Sequence, residues 1–210
     1  MTIKKAQTAL DRTLKAANRL LEVNNYVNWP PGTPARQQAL YGGVVVLTVG
    51  AWQGAVEDLA EASFEVTKKR AKAAKIPLGA LAGLVIGKFN TPNKDNTKNL
   101  LARAGLELPA SWSITSQGTT LNQQQTWEVI DAWLQVRHAV AHGFPFSESD
   151  RLLNLLNSCP HVASRVVTGN APGGSGARVL RFADAQGCIE LFSNAAVVLT
   201  AAASKHKSTT

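Results

Sequence analysis

The sequence predicts an all-α fold in which one bundle of helices surrounds a single core. Apolar residues make up 45% of the 210 residues, which is enough for one domain with a core of its own. These residues recur at helical spacing through long segments, and stretches rich in proline or glycine separate the segments. We therefore assign residues 1–204 to one helical domain and residues 205–210 to a flexible tail.

Two long helices are predicted in the first third of the chain. Residues 2–27 carry an apolar stripe at helical spacing, formed by Ile3, Ala6, Leu10, Leu14, Ala17 and Leu21. The prolines that follow end this helix, and a second helix is predicted over residues 34–72, with Pro34 in its first turn. Its β-branched middle, residues 44–49, is also compatible with a strand. We favour helix because the apolar pattern continues through Trp52 and Leu59 without a turn signal.

Shorter elements are predicted in the rest of the chain. A short apolar segment at 76–89 precedes a helix with Thr91 as its N-cap and Pro92 as its first residue, which ends near Gly105. Residues 107–118 are predicted to be a loop. The next helix covers residues 121–141, with Thr119 or Thr120 as its cap.

Gly143 is the expected left-handed residue after this helix. A helix at 147–158, a surface loop at 166–176 and a last helix at 181–203 complete the prediction.

Charge and composition narrow the classes of function. Lys and Arg number 22 against 14 Asp and Glu, a net charge of +8, which favours contact with nucleic-acid phosphates. Cys159 and Cys188 form no C-x-x-C pair, so we expect neither a disulfide framework nor a cysteine zinc site. No signal-peptide pattern is present, and the longest apolar run, 39–52, is shorter than the ~20 residues of a membrane span. We expect a cytoplasmic protein without membrane contact.

The residues best suited to chemistry cluster near the end of the predicted helix 121–141. Arg137 carries a planar fork of donors that suits phosphate oxygens, and His138 and His142 carry groups that exchange protons near neutral pH. Five residues of ideal helix rotate by ~500°, so Arg137 and His142 do not share one face. They meet on a substrate only if the helix end distorts or if a second copy of the chain contributes.

Structural interpretations of the same residues are also available. Arg137 can bond helix carbonyls or Glu128, and His142 can complement the helix dipole. His138 and His142 have the spacing of a zinc-binding pair, but Ala139 stands where the H-E-x-x-H motif has its glutamate. We therefore expect no metal site and no cofactor.

A dense basic run and three tryptophans complete the candidates. The run is predicted either to contact RNA phosphates or to form a solvated helix end, and it consists of Lys68, Lys69, Arg70 and Lys72. Trp52, Trp127 and Trp133 occupy apolar helical positions. They are expected in the core or at a dimer interface rather than as platforms for base stacking.

The pattern Arg-x4-His followed by glycine, late on a helix after Trp127 and Trp133, resembles the motif of HEPN domains. The layout is similar as well: a long first helix pair, an aromatic and acidic stretch at 51–58, and a closing helix. The most similar branches are bacterial, of the RiboL-PSP or MAE_28990 type, and the choice between them stays open.

This resemblance implies a helical bundle that dimerises through the motif helix and cleaves RNA without a metal, as a toxin, in phage defence or in RNA processing. Arg137 and His142 would be the active residues, and His138, where many members carry Asn, would assist. Glu57 or Asp58 is the supporting acidic candidate. The implied partners are single-stranded RNA, a second copy, and an antitoxin or defence protein. The alternative is a catalytically inactive module that binds and assembles with a partner protein.

Overall fold

A computed structural model of the chain describes residues 2–27, 34–75, 93–143 and 180–208, except for the side chains of 34, 207 and 208. Helices form 81% of the described residues, which confirms the all-α class. The elements in chain order are α1 (Ile3–Tyr26), α2 (Pro34–Ala73), α3 (Lys94–Arg103), β1 (Ser113–Ser116), β2 (Thr119–Asn122), α4 (Gln123–His142) and α5 (Phe182–Ser208). The predicted segments at 76–89, 147–158 and 166–176 lie outside the described residues.

Helix α1 confirms the first predicted element. The side chain of Thr2 caps it by accepting a hydrogen bond from the backbone N–H of Lys5. Its buried residues are the members of the predicted stripe other than Ile3, namely Ala6, Leu10, Leu14, Ala17 and Leu21. The helix runs antiparallel to α2, because Tyr41 near the start of α2 donates to Asn24 near the end of α1 at 2.8 Å.

Helix α2 is the central element of the bundle, and it is helical throughout its β-branched middle. Val44, Val45 and Val49 are completely buried there, and Trp52 is 1% exposed. Burial on this scale explains why helix forms despite the modest helix propensity of valine. Helix α5 packs beside α2 and runs parallel to it. The ring of Phe182 lies 6.4 Å from that of Tyr41, and the ring of Phe192 lies 5.5 Å from that of Trp52.

A β-hairpin occupies residues for which the sequence predicted a loop and the first turn of a helix. Strands β1 and β2 pair antiparallel, and Ile114 and Leu121, which face each other, are both buried. The turn is made by Gln117 and Gly118, both with positive φ. The prediction of a loop over 107–118 was therefore wrong for β1, and Leu121 is a strand residue rather than a helical one.

Two predicted helix starts were also wrong. Asn122, not Thr119 or Thr120, caps α4, in a capping box with Gln125. Asn93 caps α3 by accepting from the backbone N–H of Asn96, so this helix begins after the predicted Thr91–Pro92 start, which lies outside the described residues. In both cases an asparagine later in the chain provides the capping oxygen.

The end of α5 differs from prediction too. The helix continues to Ser208, whereas the sequence predicted a flexible tail from residue 205. The reason is packing against the end of α2. Arg70 donates a hydrogen bond to the main-chain carbonyl of His206, and the His206 ring lies 3.5 Å from the hydroxyl of Thr67.

Two segments, Ala35–Ala73 and Phe182–His206, have the length and apolar composition of membrane-crossing helices. Within the fold, 50% and 61% of their most apolar stretches are buried. Core helices of soluble proteins have the same properties, so a cytoplasmic location without membrane contact stays a prediction.

Helix α4 lies against the first part of α2, where Gly42 leaves space for it. The Val140 side chain sits so close that a Cβ atom on Gly42 would lie 2.9 Å from its Cγ1. Further back on α4, Asp131 accepts from the backbone N–H of Lys94, the first residue of α3. Helix α3 thus leads from Asp131 on α4 towards the end of α2, where Ala104, just after α3, contacts Thr67. Because Val140, near the end of α4, lies at the beginning of α2, α4 runs antiparallel to α2.

This close approach predicts different results for two glycine substitutions in α2. Gly50→Ala should stabilise the fold by about 1 kcal/mol, because nothing lies within 4 Å of the added methyl group and alanine favours helix. Gly42→Ala gains the same propensity but forces the stiff Val140 side chain to move, so its unfolding free energy should be about 1–3 kcal/mol below that of Gly50→Ala. Urea unfolding of both variants measures the difference. Equal stabilities would contradict the described packing of α4 on α2.

Candidate functional site

The candidate site is built on α4, a regular helix with a defined start and end. The capping box at Asn122 begins it, and Gly143 ends it in the left-handed conformation, with φ 67° and ψ 24°, as predicted. Trp127 and Trp133 are 1% and 4% exposed, which places both in the core of a single chain. Their burial fixes which side of α4 faces away from the core.

A polar stripe follows the outer side of α4. It runs at intervals of three and four residues and consists of Gln124, Glu128, Asp131, Gln135, His138 and His142. His138 and His142 at its end are exposed, and their ring centroids are 4.4 Å apart with the planes tilted by 51°. The last turn of α4 thus carries two adjacent imidazoles on one surface.

Arg137 lies at the border of the buried side of the same helix. It is half-buried, one turn after Trp133 and one turn before Val140. Its Nε atom is buried and has no hydrogen-bond partner within the part of the chain that the structure describes. Glu128, the carboxylate considered from the sequence, accepts a hydrogen bond from Gln124 at 2.9 Å instead.

The geometry keeps Arg137 and His142 on different sides of α4. The helix is regular through His142, so the five-residue separation places the two side chains about 140° apart around the axis. The helix distortion that would bring them together in one chain is not observed in α4. Of the two routes considered from the sequence, the contribution of a second copy stays open.

The acidic candidates Glu57 and Asp58 lie elsewhere along α2. Asp58 follows Gly42, the contact point of Val140, by sixteen residues, which corresponds to about 24 Å along the helix. Burial, and next the carboxylate of Glu61, raise the pKa of Asp58. Within one chain the structure therefore does not bring Glu57 or Asp58 to Arg137.

The basic run is also far from the motif. Arg70 follows Gly42 by 28 residues, about 42 Å along α2. Lys68 forms an ion pair with Glu65 and lies over the ring of Phe64, and Lys69 and Lys72 are exposed. Arg70 contacts His206 near the end of α5.

Sequence reasoning missed the cluster around His206. It assigned this residue to a tail because Lys205, His206 and Lys207 are polar, whereas the apolar spacing of Leu199, Ala202 and Ala203 is the signal that the helix continues. No group of three or more potential metal ligands occurs among the described residues.

Comparisons with known proteins add no relative: no protein-family model, no curated protein and no solved structure matches this chain. The assignment of a function therefore depends on the residues of α4 and their geometry.

The buried Nε of Arg137 leads to a stability prediction. A buried donor without an acceptor costs about 1–3 kcal/mol, so Arg137→Met, which keeps length and removes the donor, should leave the unfolding free energy unchanged or raise it by up to that amount. The exposed Arg12→Met on α1 serves as the control and should change stability by less than about 0.5 kcal/mol. A loss of more than about 1 kcal/mol in Arg137→Met alone would mean that the guanidinium has a structural role.

Proposed function

We propose that this protein is a metal-independent endoribonuclease that cleaves single-stranded RNA at a site composed of α4 residues from two copies of the chain. The observation that carries the proposal is a half-buried arginine whose Nε has no partner among the described residues, on the same end of α4 as a pair of exposed histidines. The resemblance of the Arg-x4-His-Gly pattern to HEPN domains agrees with this function, as does the net charge of +8.

Arg137 has the properties of a phosphate-binding group. The Nε–H and an adjacent Nη–H of a guanidinium point the same way and bind two oxygens of one phosphate side by side. Arg137 is half-buried, so part of its side chain stays accessible, and its covered Nε lacks an acceptor in the described residues. A shift of the guanidinium that lets a phosphate oxygen reach Nε therefore satisfies this donor and places positive charge beside the transition state.

His138 and His142 supply the proton transfers. A histidine base removes the proton of the ribose 2′-hydroxyl, and the 2′-oxygen attacks the adjacent phosphorus. The bond from phosphorus to the 5′-oxygen breaks, and a histidine acid donates a proton to that oxygen. The products are a 2′,3′-cyclic phosphate and a 5′-hydroxyl, so neither water nor a metal is consumed in this step.

In-line displacement explains why two copies are proposed. The attacking and leaving oxygens lie on opposite sides of the phosphorus, so the base and the acid must approach from opposite sides. The two imidazoles of one chain lie 4.4 Å apart on one face of α4 and approach from a single side. A second α4, related by a two-fold axis, provides a histidine for the other side and brings Arg137 of one copy near His142 of the other.

The alternative is a module that binds a partner protein without cleaving RNA. The same unsatisfied Nε of Arg137 favours it, because a carboxylate of a partner satisfies this donor as well as a phosphate does. Such a partner would be an antitoxin or another defence protein. Cleavage of RNA by the purified protein distinguishes the two functions.

We predict that the purified protein cleaves single-stranded RNA in the presence of EDTA and leaves 2′,3′-cyclic phosphate ends. His142→Ala should reduce the rate by about 10²–10⁴-fold, the usual contribution of a general acid or base. Gln135→Ala, on the same stripe one turn before His138, is the matched control and should keep the wild-type rate. Denaturing gels and end-group analysis measure both. Wild-type cleavage by His142→Ala, or loss of activity on adding EDTA, contradicts the proposal.

A further inference from the structure

A second site lies at the opposite end of α2 from the motif. A cavity of about 430 Å³ opens between the end of α2, the segment that follows α3, and the end of α5. This volume is within the range of cavities that bind small organic ligands. None of the residues that line the cavity belongs to α4.

Charged groups line one part of the cavity. Arg70 comes from α2, Lys205 and His206 come from α5, and Glu107 comes from the segment after α3. The Nδ1 atom of His206 lies 3.5 Å from Nη1 of Arg70, so Nδ1 is an acceptor for the guanidinium. Burial, and next the charge of Arg70, lower the pKa of His206, so the imidazole is mainly neutral at pH 7. The positive charge at this site therefore comes from Arg70 and Lys205.

The other part of the cavity wall is apolar and rigidly shaped. Leu108 and Pro109 line it beside the charged groups. The preceding turn passes through Gly105, whose φ is +77° and whose Cβ position would lie 2.7 Å from the hydroxyl of Thr67. A side chain does not fit there, and the Thr67 hydroxyl also lies 3.1 Å from the carbonyl of Ala104. These contacts hold the turn against α2 next to Arg70.

We propose that this cavity binds the phosphate monoester of a nucleotide. Arg70 and Lys205 pair with the phosphate, Glu107 accepts hydrogen bonds from the ribose hydroxyls, and the base packs along Leu108 and Pro109. The ligand is either a free mononucleotide or the phosphorylated end of an RNA strand, since both carry this group. The proposal does not depend on the ribonuclease activity.

A purely structural role of the same cations predicts a different result. Helices α2 and α5 both end near the cavity, and positive side chains stabilise the partial negative charge of helix C-termini. If Arg70 and Lys205 had only this role, nucleotides would not bind there in preference to other basic surfaces. Arg103, exposed on the last turn of α3 and absent from the cavity wall, is therefore the matched control for Lys205.

Calorimetric titration of the full chain with AMP, adenosine and inorganic phosphate tests the proposal. AMP should bind. Adenosine and inorganic phosphate should each bind at least about tenfold more weakly than AMP, because each makes only part of the contacts. Lys205→Gln should weaken AMP binding about tenfold, and Arg103→Gln should bind AMP like the wild type. Thermal melts confirm that both variants fold. Absence of AMP binding, or equal weakening by both substitutions, overturns the proposal.

Titration with a short RNA distinguishes the two ligand sources. In the His142→Ala background, which is expected to cleave the strand at least about 10²-fold more slowly than the wild type, an RNA with a 5′-phosphate is compared with the same RNA carrying a 5′-hydroxyl. Tighter binding of the phosphorylated strand identifies an RNA end as the ligand, whereas binding of AMP alone identifies a free nucleotide. AMP should bind equally in this background, so the outcome is separate from that of the ribonuclease proposal.

Discussion

The regular geometry of α4 is the constraint on which the candidate site depends. A capping box at Asn122 and the left-handed Gly143 define the helix, and every residue between them follows helical spacing. Trp127 and Trp133 face the core, so His138 and His142 face outward and Arg137 lies at the boundary. One chain therefore presents the histidines together and holds the arginine about 140° away from His142. A reaction that needs both groups at one phosphate requires a second copy.

The position of α4 depends in turn on α2. The Val140 side chain packs directly over Gly42, which places the last turn of α4 at the beginning of the 40-residue helix. The basic run and the cavity around Arg70 lie at its other end, about 42 Å away. The length of α2 thus separates the proposed chemistry from the proposed nucleotide site. It also explains why Asp58, near the middle of α2, does not contact Arg137 in the same chain.

Elements with strong helical periodicity were predictable, and those that depend on local capping or tertiary contacts were not. The apolar stripe from Ala6 to Leu21 was sufficient for α1, and the unbroken pattern was sufficient for α2 despite its valines. The hairpin was missed because it is short and polar, and Ile114 and Leu121 are its only apolar residues. The spacing of Arg137, His138 and His142 was readable from the chain. The burial of the Arg137 Nε was not, because the burial of a single side-chain atom depends on the three-dimensional fold.

Mixing two inactive variants tests the composite site most directly. Arg137→Ala and His142→Ala chains, each inactive alone, are combined under conditions that exchange subunits, and mixed dimers are isolated through two different affinity tags. If Arg137 and His142 act across the two-fold axis, each mixed dimer contains one intact site of two, and a random mixture recovers about a quarter of the wild-type rate of RNA cleavage. Isolated mixed dimers that show no more activity than either variant alone contradict a site shared between two chains.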